Sequence, residues 1–184
     1  MIIKSFELNK IDYKTKFFLL YGNNQGHKNQ IIEEKFKEKY SDCTYNYDEG
    51  EILKGKEFFF ENILSQSFFE QEKLIIINRA TDKIKDIIDE IIEKKITDIV
   101  IVLNSNTLEK KSKLRVLFEK KKSTICIPFY EDTNQTLSAI INLFFRERKI
   151  PISQQLINLI TNRCRGDRQN LNNELQKIEN FMKN

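Results

Sequence analysis

Five short apolar runs, separated by amphipathic stretches, constrain the fold of this chain more than any other feature of its sequence. The runs lie at 17–21, 43–47, 74–78, 98–103 and 124–129. Three of them are almost continuous in β-branched and aromatic residues, which is the pattern of strands buried on both faces. Amphipathic helical stretches separate or follow them at 28–40, 56–66, 82–95 and 107–122. Strands that alternate with helices predict a parallel five-stranded sheet, flanked by helices, with right-handed crossovers.

The pattern changes after Asp132, where no further strand-like run occurs. Three helical stretches follow, at 134–149, 153–164 and 167–183. Ser153 and Asp167 stand at the starts of the last two, where a side-chain oxygen can cap a helix. We therefore expect an α/β domain over 1–132 and a small three-helix lid domain over 133–184.

Composition excludes several classes of protein. The 184 residues are 40% hydrophobic and 32% charged, with 5 Gly and 2 Pro, which indicates a folded, helix-rich chain rather than a disordered one. No apolar run approaches the ~18 residues of a membrane-spanning helix, and the N-terminal run is too short for a signal peptide. The net charge of +4 is too small to demonstrate nucleic-acid binding.

The cysteines give no sign of a metal site. Cys43, Cys126 and Cys164 lie far apart, in neither a metal-ligand spacing nor a disulfide framework. We therefore predict no bound metal and no membrane association, and the simplest compartment for this chain is a reducing cytoplasm.

The loop after the first apolar run approximates a phosphate-binding loop and departs from it in three ways. A working loop reads G-x-x-x-x-G-K-[ST], in which backbone N–H groups wrap phosphates, lysine reaches them and a hydroxyl binds magnesium. The corresponding string here is Gly22-Asn23-Asn24-Gln25-Gly26-His27-Lys28-Asn29. Its first spacer is one residue short, His27 separates Gly26 from Lys28, and Asn29 replaces the hydroxyl residue. These departures predict a loop that does not hydrolyse ATP.

A second element of an ATPase is missing from a later strand. ATPases of this architecture carry an acidic pair at its end, which holds magnesium and activates water. The run at 98–103 continues instead into Asn104 and Ser105, without a carboxylate. We therefore predict no catalytic residue and no cofactor. Gly22, Gly26 and Lys28 are interpreted as a degenerate, non-functional P-loop, and an ordinary strand-to-helix turn is the simpler alternative.

Several segments, taken in order, are similar to one known family. They are FFLLYGNNQGHKNQ (17–30), SQSFFEQEKLIIIN (65–78), DIVIVLNSNTLEKKSKLRVLFEK (98–120), PFYEDTNQTLSAIINLFF (128–145) and GDRQNLNNELQKIENF (166–181). With them the chain resembles an AAA+ module without a working ATP site, and specifically the delta subunit of the bacterial DNA polymerase III clamp loader. Members of that family continue into a third, helical collar domain, whereas this sequence ends at Asn184. The resemblance therefore covers the family's first two domains only.

The resemblance implies a role in DNA replication without intrinsic catalysis. Delta subunits bind and open the sliding clamp (beta) for loading onto primed DNA, within a holoenzyme whose reaction is nucleotidyl transfer. Implied partners are the clamp, the gamma/tau and delta-prime subunits in the full-length protein and, indirectly, primer-template DNA. Lys110, Lys111 and Lys113 are candidate contacts for DNA phosphates, although a solvated helix face explains the same lysines.

The resemblance also assigns the clamp-binding element to Ser67-Phe68-Phe69, with Leu64 and Gln66 as flanking contacts. Two adjacent Phe side chains at a helix end cannot both face one core, so at least one is expected to project as a wedge. The alternative is ordinary packing, since Phe58, Phe59, Phe60, Ile63, Leu64 and Phe68 have nearly helical spacing.

Three other interpretations remain open from the sequence. The chain fits less well as another clamp-loader subunit, because it has neither an intact P-loop nor a zinc-binding cysteine cluster. It fits a P-loop NTPase or kinase-like enzyme only if Lys28 serves despite its neighbours. It also fits an unrelated α/β binding module in which Phe68 and Phe69 are core. Because no nucleotide is expected in the loop, Arg163, Arg165 and Arg168 are interpreted as surface or interface residues.

Overall fold

A computed structural model describes residues 1–3, 7, 15–40, 43–64, 72–96 and 98–183 of this chain, with the backbone only at Leu64 and Lys183. Five parallel strands form one sheet in the order β2-β3-β4-β1-β5. They are β1 (Phe17–Tyr21), β2 (Thr44–Asp48), β3 (Lys73–Asn78), β4 (Ile99–Ser105) and β5 (Thr124–Pro128). The predicted parallel five-stranded sheet is therefore confirmed.

Eight α-helices accompany the sheet in the described part of the chain. They are α1 (Gln25–Ile31), α2 (Glu49–Lys54), α3 (Lys56–Leu64), α4 (Lys85–Glu93), α5 (Lys113–Lys120), α6 (Asn134–Glu147), α7 (Gln154–Cys164) and α8 (Arg168–Lys183). A π-helical stretch, Ile32–Lys37, continues α1, and a short 3₁₀ turn, Asp82–Ile84, precedes α4. The three helices predicted after residue 132 are present as α6, α7 and α8.

Two helix predictions need correction. Helix α2 was not predicted, although Asp48 caps it and Glu51 reciprocates in a capping box. Helix α5 begins after Ser112, whose hydroxyl accepts from Arg115 N, rather than at residue 107, where the predicted helical stretch starts. Apolar spacing detected neither feature, because α2 has only six residues and 107–112 is a loop with Leu108 as its one apolar residue.

The core around the sheet has two faces, set by the alternation of side chains along each strand. Phe17, Leu19 and Tyr21 of β1 pack on the face covered by α2, α3, α4 and α5. Phe18 and Leu20 pack on the opposite face, with Ile31, Ile32 and Phe36 of the first helical stretch. Strands β1, β3, β4 and β5 are buried on both faces, which is why they are largely apolar, whereas β2 is partly exposed.

Helices α6, α7 and α8 have a core of their own. Leu137, Ile141 and Phe145 of α6 meet apolar side chains of the other two helices, namely Ile157, Ile160, Cys164, Leu171 and Leu175. The chain separates into two compact units, one formed by 1–22 with 31–129 and the other by 23–30 with 130–184. The domain boundary expected at residue 132 stays a prediction. None of the described helices is long and apolar enough to cross a membrane.

Candidate functional site

Gly22, the first residue of the P-loop-like string, is required by the packing of the sheet unit. Its φ of 127° lies in the region that side chains avoid, and a Cβ there would lie 2.1 Å from the carbonyl oxygen of Phe129. Its backbone N–H donates to Asn106 O at 3.2 Å. Gly22 is therefore explained by contacts within the protein, without any phosphate.

Asn24 organises the first turn of helix α1. Its side-chain oxygen accepts from His27 N at 3.0 Å, which is an N-cap bond, and its backbone oxygen accepts from Lys28 N. Gln25 N donates to Asn23 O at 2.8 Å. A phosphate-binding loop must present such N–H groups to its ligand. Here the N–H groups of Gln25, His27 and Lys28 donate to protein oxygens instead.

The amide nitrogen of Asn24 connects the loop to a buried ion pair. It donates to Tyr130 O at 3.0 Å and to Asp132 Oδ2 at 2.8 Å. Arg168, at the start of α8, donates to the same carboxylate through Nε at 2.8 Å and through an Nη at 2.5 Å. The side chains of Asp132 and Arg168 are 6% and 10% exposed. The loop, the segment before α6 and the start of α8 thus share one hydrogen-bonded cluster, the Asn24–Asp132–Arg168 cluster.

Gly26 allows a close approach between two backbone segments. A Cβ at this position would lie 2.3 Å from Gln169 N and 2.8 Å from Gln169 Cα. The first turn of α8 therefore occupies the space that a side chain at Gly26 would need. Both glycines in the string serve protein packing.

Burial lowers the pKa of both basic side chains of the string. Lys28 is fully buried, and desolvation lowers its pKa to about 8. Burial, followed by the nearby charge of Arg168, lowers the pKa of His27 to about 4, although Asp132 opposes this shift. Asn29 accepts a hydrogen bond from Gln25 at 2.8 Å. Lys28 is thus a buried side chain rather than a solvent-facing phosphate ligand.

The carboxyl end of β4 carries Asn104 and Ser105 where an ATPase carries acids. Asn104 is buried and donates to Asn78 Oδ1, at the end of β3, at 3.2 Å. In the described residues, no group of three His, Cys, Asp or Glu side chains is arranged to hold a metal ion. This edge of the sheet therefore carries a hydrogen-bonded amide pair, Asn78 and Asn104.

The predicted clamp-binding residues fall mainly outside the described part of the chain. Gln66, Ser67, Phe68 and Phe69 lie in the stretch 65–71, and Leu64 is described only as the last backbone position of α3. The alternative that these residues are core is likewise untested. Of the flanking apolar positions, Phe59 and Ile63 are buried, whereas Phe58 is 67% exposed.

Sequence reasoning missed the most organised part of the site. Arg168 was expected at a surface or interface, and this expectation is wrong, because its guanidinium is buried against Asp132. Asn24 and Asp132 were not singled out. The pairing of Asp132 with Arg168 spans 36 residues of sequence and has no local periodicity. Only the sequence Gly166-Asp167-Arg168 after α7, a helix stop and start, marked this joint.

The strand order, the glycine loop and the C-terminal helices together define the class of this protein. A parallel sheet of this strand order, with a glycine loop after β1 and a helical unit at the C-terminal end, is an AAA+-like fold. In this chain three N–H groups of the loop donate to protein oxygens and the Lys28 side chain is buried. The class is therefore an AAA+-like fold whose loop after β1 departs from a phosphate-binding loop.

Solved structures of two kinds are similar to this chain. The DNA clamp loader delta protein (YqeN) of Bacillus subtilis matches with a TM-score of 0.59 and 14% identity, over 97% of this chain and 56% of that chain. The RuvB Holliday junction branch migration motor of Thermotoga maritima matches with a TM-score of 0.56 and 13% identity, over 90% and 54%. No family model and no curated protein matches the sequence.

The similarity to these structures shows the fold, because the sequence identities are low. The AAA+-like fold expected from the sequence is confirmed. The chain spans about half the length of the solved structures that it matches. The resemblance to clamp-loader delta subunits, noted from sequence motifs, thus extends to a delta protein among the structural neighbours.

Proposed function

We propose that this chain is a clamp-loader subunit of the delta type, which binds and opens a sliding clamp for loading onto primed DNA without hydrolysing ATP. One observation carries the proposal: in the altered loop the N–H groups of Gln25, His27 and Lys28 donate to protein oxygens, both glycines are packed against backbone, and the Lys28 side chain is buried. A module in this state has lost the binding groups of an ATPase and retains the scaffold for binding another protein.

The fold neighbour and the sequence motifs support the same role. A protein whose name is DNA clamp loader delta protein shares the fold over 97% of this chain. On this proposal the partners are the sliding clamp and, in the full-length protein, the gamma/tau and delta-prime subunits, with primer-template DNA contacted indirectly. The chain itself carries no catalysis, belongs to the DNA polymerase III holoenzyme, needs no cofactor and acts in the cytoplasm.

The clamp contact is proposed to be the aromatic pair Phe68 and Phe69, supported by Ser67, Gln66 and Leu64. Burying one large apolar side chain contributes roughly 1.5–3 kcal/mol, so an inserted pair supplies several kcal/mol of affinity. Such a wedge needs no nucleotide, because its binding energy comes from apolar area alone.

The test is calorimetric titration of this chain with the sliding clamp of its own species, without nucleotide. We expect binding by the unaltered chain and loss of binding in Phe68→Ala/Phe69→Ala, with the helical circular-dichroism signal unchanged. The matched control is Tyr130→Ala/Phe181→Ala, because these two aromatic side chains are 74% and 84% exposed and lie outside the proposed contact. The control should bind as the unaltered chain does.

Two results would contradict the proposal in different ways. Failure of the unaltered chain to bind the clamp would remove the delta-type function. Undiminished binding by Phe68→Ala/Phe69→Ala would keep the function and show that the clamp contact lies elsewhere on the surface.

A further inference from the structure

The surface between helices α4 and α5 contains a cleft of about 500 Å³ in the sheet unit, here called the α4–α5 groove. This volume is within the range of roughly 300–1,000 Å³ that is usual for ligand-binding clefts. Its floor is apolar and is formed by Val116 and Leu117, both of which are only partly buried. The groove therefore offers apolar surface to an occupant.

Four lysines surround this floor, and they are Lys85, Lys113, Lys120 and Lys121. Asp89 is the acidic residue among the lining side chains and forms ion pairs with Lys85 and Lys121. Lys113 and Lys120 are exposed, and within the described residues neither forms an ion pair. Two of the four ammonium groups thus remain available to an outside anion.

The charge at the groove belongs to a wider basic segment. Residues 107–122 contain seven Lys or Arg and two Asp or Glu, whereas the whole chain has a net charge of +4. The basic excess is therefore concentrated on this side of the sheet unit. Asp82 offsets it in part, because its carboxylate accepts from Leu114 N at 3.0 Å and interacts with the charge of Lys113.

An apolar floor within a lysine rim selects one class of partner. Nucleic acid would use the lysines but leave Val116 and Leu117 unmatched, and surfaces for single strands stack bases on aromatic rings. The described lining of the groove contains no aromatic residue. A peptide that combines carboxylates with apolar side chains matches both parts of the surface, since lysine stems extend the apolar floor while their ammonium groups reach outward.

We propose that the α4–α5 groove binds an acidic peptide segment of another protein, with apolar side chains of the peptide on Val116 and Leu117 and its carboxylates on Lys113 and Lys120. This inference does not depend on the proposed clamp-opening function. It assigns the groove to the chemistry of the partner segment rather than to a particular protein.

The probe is a fluorescein-labelled acidic peptide in which pairs of Asp alternate with Leu-Phe pairs, measured by fluorescence anisotropy. We expect saturable binding by the full chain, and about a tenfold or greater loss in Lys113→Glu/Lys120→Glu, because two attractive contacts become repulsive. Lys35→Glu/Lys54→Glu changes the net charge equally at residues that do not line the groove, and it should bind as the unaltered chain does.

Further probes test the apolar contacts separately from the contacts with the lysines. A peptide with Ser in place of Leu and Phe should bind about tenfold more weakly or worse, and Val116→Ser should weaken binding of the original peptide. Equal losses in the two lysine variants would overturn the proposal, as would equal binding of the Ser-containing peptide. A single-stranded oligonucleotide of equal charge that binds more tightly than the peptide would overturn it in favour of a nucleic-acid surface.

Discussion

At the residue scale, Gly22 and Gly26 are required for packing within the protein, which differs from the role of glycines in a phosphate-binding loop. In a working P-loop the glycines are needed because the backbone must approach phosphate. In this chain a Cβ at either position would meet protein backbone at 2.1–2.3 Å. Retention of the glycines therefore says nothing in favour of nucleotide binding, because the fold itself demands them.

Gly26→Ala should reduce the free energy of unfolding by about 2 kcal/mol or more, because the added methyl meets the backbone of Gln169 and forces α1 and the start of α8 to shift. Gly50→Ala is the matched control. Its nearest contact would be Asp48 Oδ1 at an ordinary 3.7 Å, inside helix α2, so we expect a gain of about 0.5–1 kcal/mol. Denaturant unfolding measures both, and equal effects would contradict the packing argument.

His27, the one histidine of the sequence, reports on the loop. Its pKa should be about 4 in the folded chain, against 6.5 for an exposed imidazole, and a nuclear magnetic resonance titration of its ring signals measures this directly. A pKa near 6.5 would show that the ring is solvated rather than buried.

The lowered pKa of His27 also determines how the stability of the chain changes with pH. The unfolded chain binds a proton on His27 below pH 6.5, whereas the folded chain does so only near pH 4. The contribution of His27 to stability is therefore complete above about pH 6.5 and decreases as the pH falls towards 4, by at most about 3 kcal/mol. The difference in unfolding free energy between the unaltered chain and His27→Gln should shrink over this interval.

At the scale of elements, the Asn24–Asp132–Arg168 cluster joins the starts of α1, α6 and α8. Asp132→Asn should destabilise the chain by about 3 kcal/mol, because it leaves the buried guanidinium of Arg168 without its counter-charge. Glu174→Gln makes the same chemical change at the solvent-facing pair with Lys177, whose side chain is 72% exposed, and should leave stability nearly unchanged.

Chemical denaturation of the two variants, with a double-mutant cycle between Asp132→Asn and Arg168→Met, measures the coupling directly. A coupling energy near zero would mean that the two side chains stabilise the chain independently, and the cluster would then not hold these three helix starts together.

A structural feature was predicted well from the sequence when residues close together in the chain determine it. Strands β1 to β5 were located to within two residues. Burial on both faces makes β1, β3, β4 and β5 largely apolar, whereas β2 is a partly exposed edge strand. Helix α2 was missed because six residues carry too little periodicity, although Asp48 and Glu51 formed a readable capping box. The Asp132–Arg168 pair was missed because it depends on two distant segments meeting, which no local pattern encodes.

At the scale of the whole molecule, the question is whether nucleotide still acts on this chain. A ligand present at a hundredfold excess over its Kd adds about 2.7 kcal/mol to stability, which for a chain of this size raises the melting temperature by roughly 5–10 °C. We expect magnesium–ATP to leave the melting temperature unchanged, because the loop's N–H groups donate within the protein and Asn29 supplies no hydroxyl.

Asp132→Asn sharpens this experiment, because it releases Arg168 from its carboxylate and removes a negative charge beside the loop. We expect no ATP-dependent shift in this variant either, since the short spacer, His27 and Asn29 remain. A shift in Asp132→Asn alone would show that the ion pair by itself keeps nucleotide out. A shift in the unaltered chain would make the altered loop a working nucleotide site and favour an NTPase over a delta-type subunit.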